Sequence, residues 1–161
     1  MPERQLVIRR AGIGDLPALG RLGALLLRTH HDFDSLRFMA PGKSPEEGYA
    51  WFLGTQLRDE DVVVLVAEQR GVVVGYAYAG LEPQSWKELR EACGFIHDVV
   101  VDRGERRGGV ATALVEAAAE WLRERGSPRV MLWTAEQNAG AQRLFTKLGF
   151  RRTMIEMTRE I

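Results

Sequence analysis

The stretch VVVDRGERRGGVATALVEAAAEWL, Val99 to Leu122, decides how this sequence folds. Three β-branched residues run to Asp102, a charged connection holding Gly104, Gly108 and Gly109 follows, and a helical pattern starts at once. Val110, Ala113, Leu114, Ala117, Ala118, Trp121 and Leu122 recur at i, i+3, i+4, i+7, i+8, i+11 and i+12, the stripe of an amphipathic helix. Gly126 and Pro128 stop it. A strand that turns through glycines into a helix leaves several backbone N–H groups at the positive end of the helix dipole, which suits phosphate. The spacing fits neither GxxxxGK[ST] nor GxGxxG, so both common nucleotide loops are excluded.

Working outward, Phe95 to Val101 is the strand that feeds this turn, and Arg129 to Thr134 is the next strand after the helix. Asn138 is placed to cap a last helix with Ala141, Leu144, Phe145 and Leu148 inside and Gly149 as its stop. Arg152 to Glu160 reads as a closing strand. Upstream, Val62 to Gln69 and Val72 to Tyr78 form a hairpin around Gln69-Arg70-Gly71. Pro83 to Ala92 is a polar loop or short insertion. Gln5 to Arg9 is a first strand, and Asp15 caps a helix with Pro17 in its first turn that ends near Arg28. His30 to Lys43 is irregular, and Ser44, Pro45 and Glu47 make a capping box for a second helix. The resulting order, β α α β β β α β α β, is that of an α/β fold.

At 161 residues the size prior is one domain, 1–161, burying roughly 70% of the unfolded chain's surface. Lys+Arg 22 against Asp+Glu 22 leaves no long-range field for nucleic acid or an anionic membrane, so an anion site must be local. The single cysteine, Cys93, excludes an internal disulfide and a cysteine zinc cluster, and no metal site is expected. The longest wholly apolar run, Val62 to Ala67, is far short of the ~20 residues of a membrane helix. Met1 to Arg10 has no apolar segment of a signal peptide, so a cytoplasmic location is expected.

Arg106-x-x-Gly109-x-Ala111 resembles the Q/R-x-x-G-x-G/A pyrophosphate motif of the GCN5-related N-acetyltransferase (GNAT) superfamily. Asn138-x-x-Ala141-x-x-Leu144-Phe145-x-Lys147-x-Gly149-Phe150 resembles that family's second motif, N-x-x-A-x-x-L-Y-x-K-x-G-F. The resemblance covers Phe95 to Phe150. It implies a single-domain GNAT fold: a mixed, mostly antiparallel central sheet whose fourth and fifth strands splay apart, flanked by about four helices. It also implies acetyl-CoA as co-substrate, held by backbone at Val99, Val100 and Val101, by the turn Arg106, Arg107, Gly108, Gly109, Val110, Ala111 and Thr112, and by Asn138, Phe145 and Lys147.

The implied reaction is direct attack of a primary amine, on a small molecule or a peptide, upon the thioester. An alkylamine with pKa near 10.4 is almost wholly charged at neutral pH, so a base or a water chain is needed. His97 is the candidate base. On a strictly alternating strand it shares a face with Val99 and Val101, while Asp98 and Val100 take the other. His30 and His31, in the irregular segment, are alternative bases or plain loop residues. The family's motif usually carries tyrosine, the proposed acid, where this chain has Phe145; Tyr76 and Tyr78 are substitutes or core residues. Two readings compete with catalysis: a catalytically silent acyl-CoA sensor, and a nucleotide-binding regulator that the phosphate-motif spacing disfavours. Phe33, Phe38, Tyr49 and Trp51 lean the acceptor towards a small amine with an apolar part, and a homodimer is compatible with the sequence.

Overall fold

The β-branched runs become strands and the 3.6-period stripes become helices in the computed structural model, which describes residues 5–161. Met1 to Arg4, the start of the segment read for an export signal, lie outside the described residues. In chain order the elements are β1 (Leu6–Arg10), α1 (Leu16–Phe33), α2 (Pro45–Gln56), β2 (Val62–Gln69), β3 (Val72–Glu82), β4 (Cys93–Val101), α3 (Val110–Glu124), β5 (Val130–Leu132) and α4 (Ala139–Lys147). The sheet runs β1-β2-β3-β4-β5, antiparallel except for β4 with β5. No helix among the described residues is long and apolar enough to cross a membrane.

Period-two alternation gives the sheet two apolar faces, as a sheet covered on both sides requires. On one, Val63, Leu65, Ala77, Ile96 and Val101 pack against Val110, Leu114, Val115, Ala118 and Leu122 of α3. On the other, Val64, Val66, Tyr76 and Val100 pack against Leu19, Leu22 and Leu53 of α1 and α2. The two helices approach closely because α1 carries glycines at the crossing. A Cβ on Gly20 would lie 2.4 Å from the Glu46 carbonyl oxygen, and one on Gly23 would lie 2.1 Å from the Tyr49 ring.

Several expectations are corrected. Arg152 to Glu160 forms no strand. The chain from Arg151 onward is exposed, and β5, the strand it would pair with, is only three residues long instead of the expected Arg129 to Thr134. Helix α1 continues past Arg28 to Phe33, so His30 and His31 lie in its last turn and not in a loop. It stops where the Asp34 carboxylate accepts the N–H groups of Leu36 (3.0 Å) and Arg37 (3.2 Å), an alternative to further helix. Asp15 occupies the N-cap position without a capping bond to α1. Its carboxylate instead takes both terminal nitrogens of Arg9, at 2.8 and 2.9 Å, and the Gly12 N–H, and the guanidinium holds it below the usual carboxylate range. Ser44 makes no side-chain cap, leaving Pro45 at the first position to start α2.

Candidate active site

Strand β4 pairs with β5 over three positions only, Gly94 to Ile96 against Val130 to Leu132. Beyond Ile96 its outer edge is open. Asp102 donates its N–H to the Val74 carbonyl at 2.8 Å, and Val100 and Asp98 are registered opposite Tyr76 and Tyr78. Antiparallel alternation therefore turns the backbone groups of Val100 inward to β3 and those of Val99 and Val101 outward, into the opening. Val100 also buries its side chain among the α1–α2 core.

The open edge runs straight into the glycine turn. Gly109 is the N-cap of α3 at φ 75°, ψ 9°, a left-handed conformation that favours glycine, and it offers no side chain to the first N–H groups of the helix. A Cβ added there would meet nothing within 4 Å. Arg106, Arg107 and Gly108 are exposed, and neither guanidinium is in an ion pair among the described residues. Val110 is buried, while Ala111 and Thr112 are half-buried in the first turn.

His97 does not share the face of Val99 and Val101. The β3–β4 register jumps from Tyr78↔Asp98 to Ala79↔Ile96, which makes His97 the extra residue of a β-bulge, and strict alternation fails there. Its ring stacks at 4.8 Å on Phe95 and lies 4.8 Å from Tyr78, on the α1–α2 side, with Nε2 3.1 Å from a Glu82 carboxylate oxygen. A carboxylate partner places the proton on Nε2 and leaves the lone pair on Nδ1. Asp98 keeps the face of Val100 that alternation gives it, so it shares that side, where its Oδ2 accepts the hydroxyls of Tyr49 (2.7 Å) and Tyr76 (2.8 Å).

Burial pushes the Asp98 carboxyl above its usual range, opposed by the two tyrosine hydroxyls. Burial, then the Asp98 charge, holds Tyr49 and Tyr76 well above an ordinary phenol and takes Tyr78 up to about 12. A raised acid is stabilising in its neutral form. Its contribution is present below about pH 3.9, the unfolded value, and is lost as pH rises through the folded one. Urea titrations across that window should show wild type losing stability relative to Asp98→Asn as pH rises; a gain would mean that the site favours the ionised carboxylate.

Tyr49 reaches Asp98 because Gly23 leaves room for its ring. Gly23→Ala forces the ring away and should cost about 1–3 kcal/mol, read as a lower urea midpoint. The helical stripe of leucines gave no hint of this, since glycines at 20 and 23 look like breakers in a helix pattern. Their spacing of three, on one face, was the available signal.

The remaining site candidates lie on α4. Asn138 caps it, accepting the Ala141 N–H at Oδ1 (3.2 Å), and Lys147 is exposed in its last turn. Phe145 is half-buried against the α3-side core, with its ring 5.9 Å from Phe150. The Phe150 N–H bonds the Phe145 carbonyl and the Gly149 N–H that of Thr146, so the two rings meet as the apolar contact of a Schellman stop. Cys93 is buried, its Sγ 3.3 Å from an Arg90 nitrogen. His30 bonds the Leu26 carbonyl at 2.9 Å, and His31 lies 3.3 Å from that of Phe38.

The Acetyltransferase (GNAT) family model matches residues 27–150, which include the open edge, the glycine turn and α4. The chain belongs to the GNAT acetyltransferase family. It is 36% identical over 108 residues to a mycothiol acetyltransferase of Amycolatopsis mediterranei, covering 66% of this chain and 34% of that protein. It is 36% identical over 100 residues to an uncharacterized N-acetyltransferase of Methanocaldococcus jannaschii, covering 62% of this chain and 43% of that one. The chain thus spans less than half the length of either relative. Among solved structures, the aminoglycoside N-acetyltransferase AAC(6')-Iy in complex with CoA superposes with a TM-score of 0.78, covering 100% of this chain and 98% of that one at 20% identity. The fold, in this chain a mixed sheet opened between β4 and β5, is common to both.

Proposed function

We propose that this chain is an N-acetyltransferase that binds acetyl-CoA along the open edge of β4 and the turn into α3, and transfers the acetyl group to a primary amine of a small molecule or peptide. The observation that carries this is the continuity of two sets of free donors: the outward backbone of Val99 and Val101, then the uncapped N-terminus at Gly109. The first set suits a strand-like amide arm. The second suits a pyrophosphate, with Arg106 and Arg107 beside it and Gly108, Val110, Ala111 and Thr112 completing the turn. On α4, Asn138 keeps its amide nitrogen for the arm while its oxygen caps the helix, Lys147 adds a cation, and Phe145 supplies an apolar wall. Membership of the GNAT family and the named N-acetyltransferase relatives support the same chemistry.

Acetyl-CoA supplies an activated acyl group. The protein's work is alignment and proton handling. The acceptor ammonium first gives up a proton, for which His97 is the proposed base, its ring held by Glu82 and by the stack with Phe95. The amine nitrogen then bonds to the carbonyl carbon, and as the C–S bond breaks it loses its second proton, the one the thiolate gains. An outward N–H at Val99 or Val101 stabilises the developing oxyanion, an effect of ~3 kcal/mol per donor. Tyr76 is fully buried with its hydroxyl on Asp98, and Tyr78 donates to Gln56 at 2.9 Å, so both phenols are committed. Water relays the nitrogen's second proton to the thiolate, which leaves readily because a thiol has pKa ~8.5.

Phe145 favours a second reading, a silent acyl-CoA-binding module, because it has no proton to give. Release of free CoA thiol on adding amines separates the two.

A further inference from the structure

Six rings follow one another in contact across the α1–α2 side of the sheet: Tyr49 to Phe52 at 5.9 Å, Phe52 to Tyr78 at 5.8 Å, Tyr78 to His97 and His97 to Phe95 at 4.8 Å each, and Phe95 to Trp133 at 5.3 Å. The row begins on α2, crosses β3 and β4, and ends one residue past β5. Its last members stand at the place where β4 and β5 part, after the Ile96↔Leu132 pair. They differ in exposure. Phe95 is buried at 6%, whereas Trp133 is 69% exposed and meets Phe95 edge to face, at 87°. An indole left that open covers little core and offers most of its area to something else.

Charge at the middle of the row is negative. Glu82 stands on His97 and supplies that charge. A carboxylate among ring faces attracts an ammonium twice over, by charge and by cation–π contact, and the flanking rings favour an apolar body over a hydroxylated one. Hydrogen-bonding groups suited to a sugar are scarce along the row: Tyr49, Tyr76 and Tyr78 spend their hydroxyls on Asp98 and Gln56.

We propose that the acceptor is an arylalkyl amine, its ring seated on Trp133 and its ammonium directed to Glu82 and His97. This rests on the N-acetyltransferase reading only for the location of the amine; the recognition itself is a binding claim. The test uses 2-phenylethylamine and glucosamine, titrated calorimetrically into the protein saturated with CoA, with wild type, Trp133→Ala and Trp133→Phe. The expected result is 2-phenylethylamine binding at least 10-fold tighter than glucosamine. Trp133→Ala should weaken it at least 10-fold while Tm and CoA affinity stay unchanged, and Trp133→Phe should restore most of the loss. Equal affinity for the two amines, no binding of 2-phenylethylamine, or an unaltered Trp133→Ala variant would each overturn the proposal. Because binding needs no turnover, 2-phenylethylamine that binds without being acetylated leaves the recognition standing and defeats the catalytic reading, whereas preferential acetylation of glucosamine does the reverse.

Discussion

Gly109→Glu should weaken CoA binding by at least about 100-fold in calorimetry, the largest single effect of any substitution in the turn, while the protein stays folded. Three contributions act together. The left-handed φ of 75° costs a side chain about 1–2 kcal/mol, the added carboxylate repels the pyrophosphate, and its bulk fills the space in front of the free N–H groups. Folding survives because a Cβ at this position meets nothing within 4 Å. Gly109→Ala isolates the backbone contribution and should lose far less. Unchanged CoA affinity in Gly109→Glu would remove the phosphate from this turn altogether.

His97→Ala should lower kcat by roughly 10²- to 10⁴-fold with CoA affinity near wild type, and the acidic limb of the pH–rate profile should vanish with the base. The side chain is 29% exposed and its polar partner among the described residues, Glu82, is 35% exposed, so removal leaves no buried group unpaired there and the melting temperature should barely move. A purely structural histidine behaves oppositely: its loss lowers Tm by several degrees and leaves the limb in place. An intact limb would pass the role to water or to His30 and His31.

The parts of this molecule that were legible in the sequence are those written in local spacing. The stripe from Val110 to Leu122 gave α3 to within its ends, and the β-branched runs gave β2 and β3, because period alone distinguishes a helix face from a strand face. The glycine turn was legible for the same reason, as was the Asn138 cap. What escaped was set by contacts between distant segments. The bulge at His97 depends on how β4 registers against Tyr78 and Ala79, and no feature of Phe95 to Val101 alone reveals it. It moves His97 to the side of Asp98, whose hydroxyl partner Tyr49 lies 49 positions away. Glu82, Phe95 and Trp133 entered the site the same way, through strand pairing. The closing strand failed for a related cause: Arg152 to Glu160 has the composition of a strand, but a strand exists only beside a partner, and β5 offers three residues.

The most direct measurement is thiol release: protein, acetyl-CoA and a panel of primary amines mixed at neutral pH, with free CoA and acetylated amine both quantified. The N-acetyltransferase reading predicts amine-dependent release of thiol, one CoA for each acetylated amine, lost in Gly109→Glu and reduced in His97→Ala. CoA that binds tightly while no amine in the panel raises thiol release above the protein-free rate would contradict it, and would leave a binding module built on the same turn.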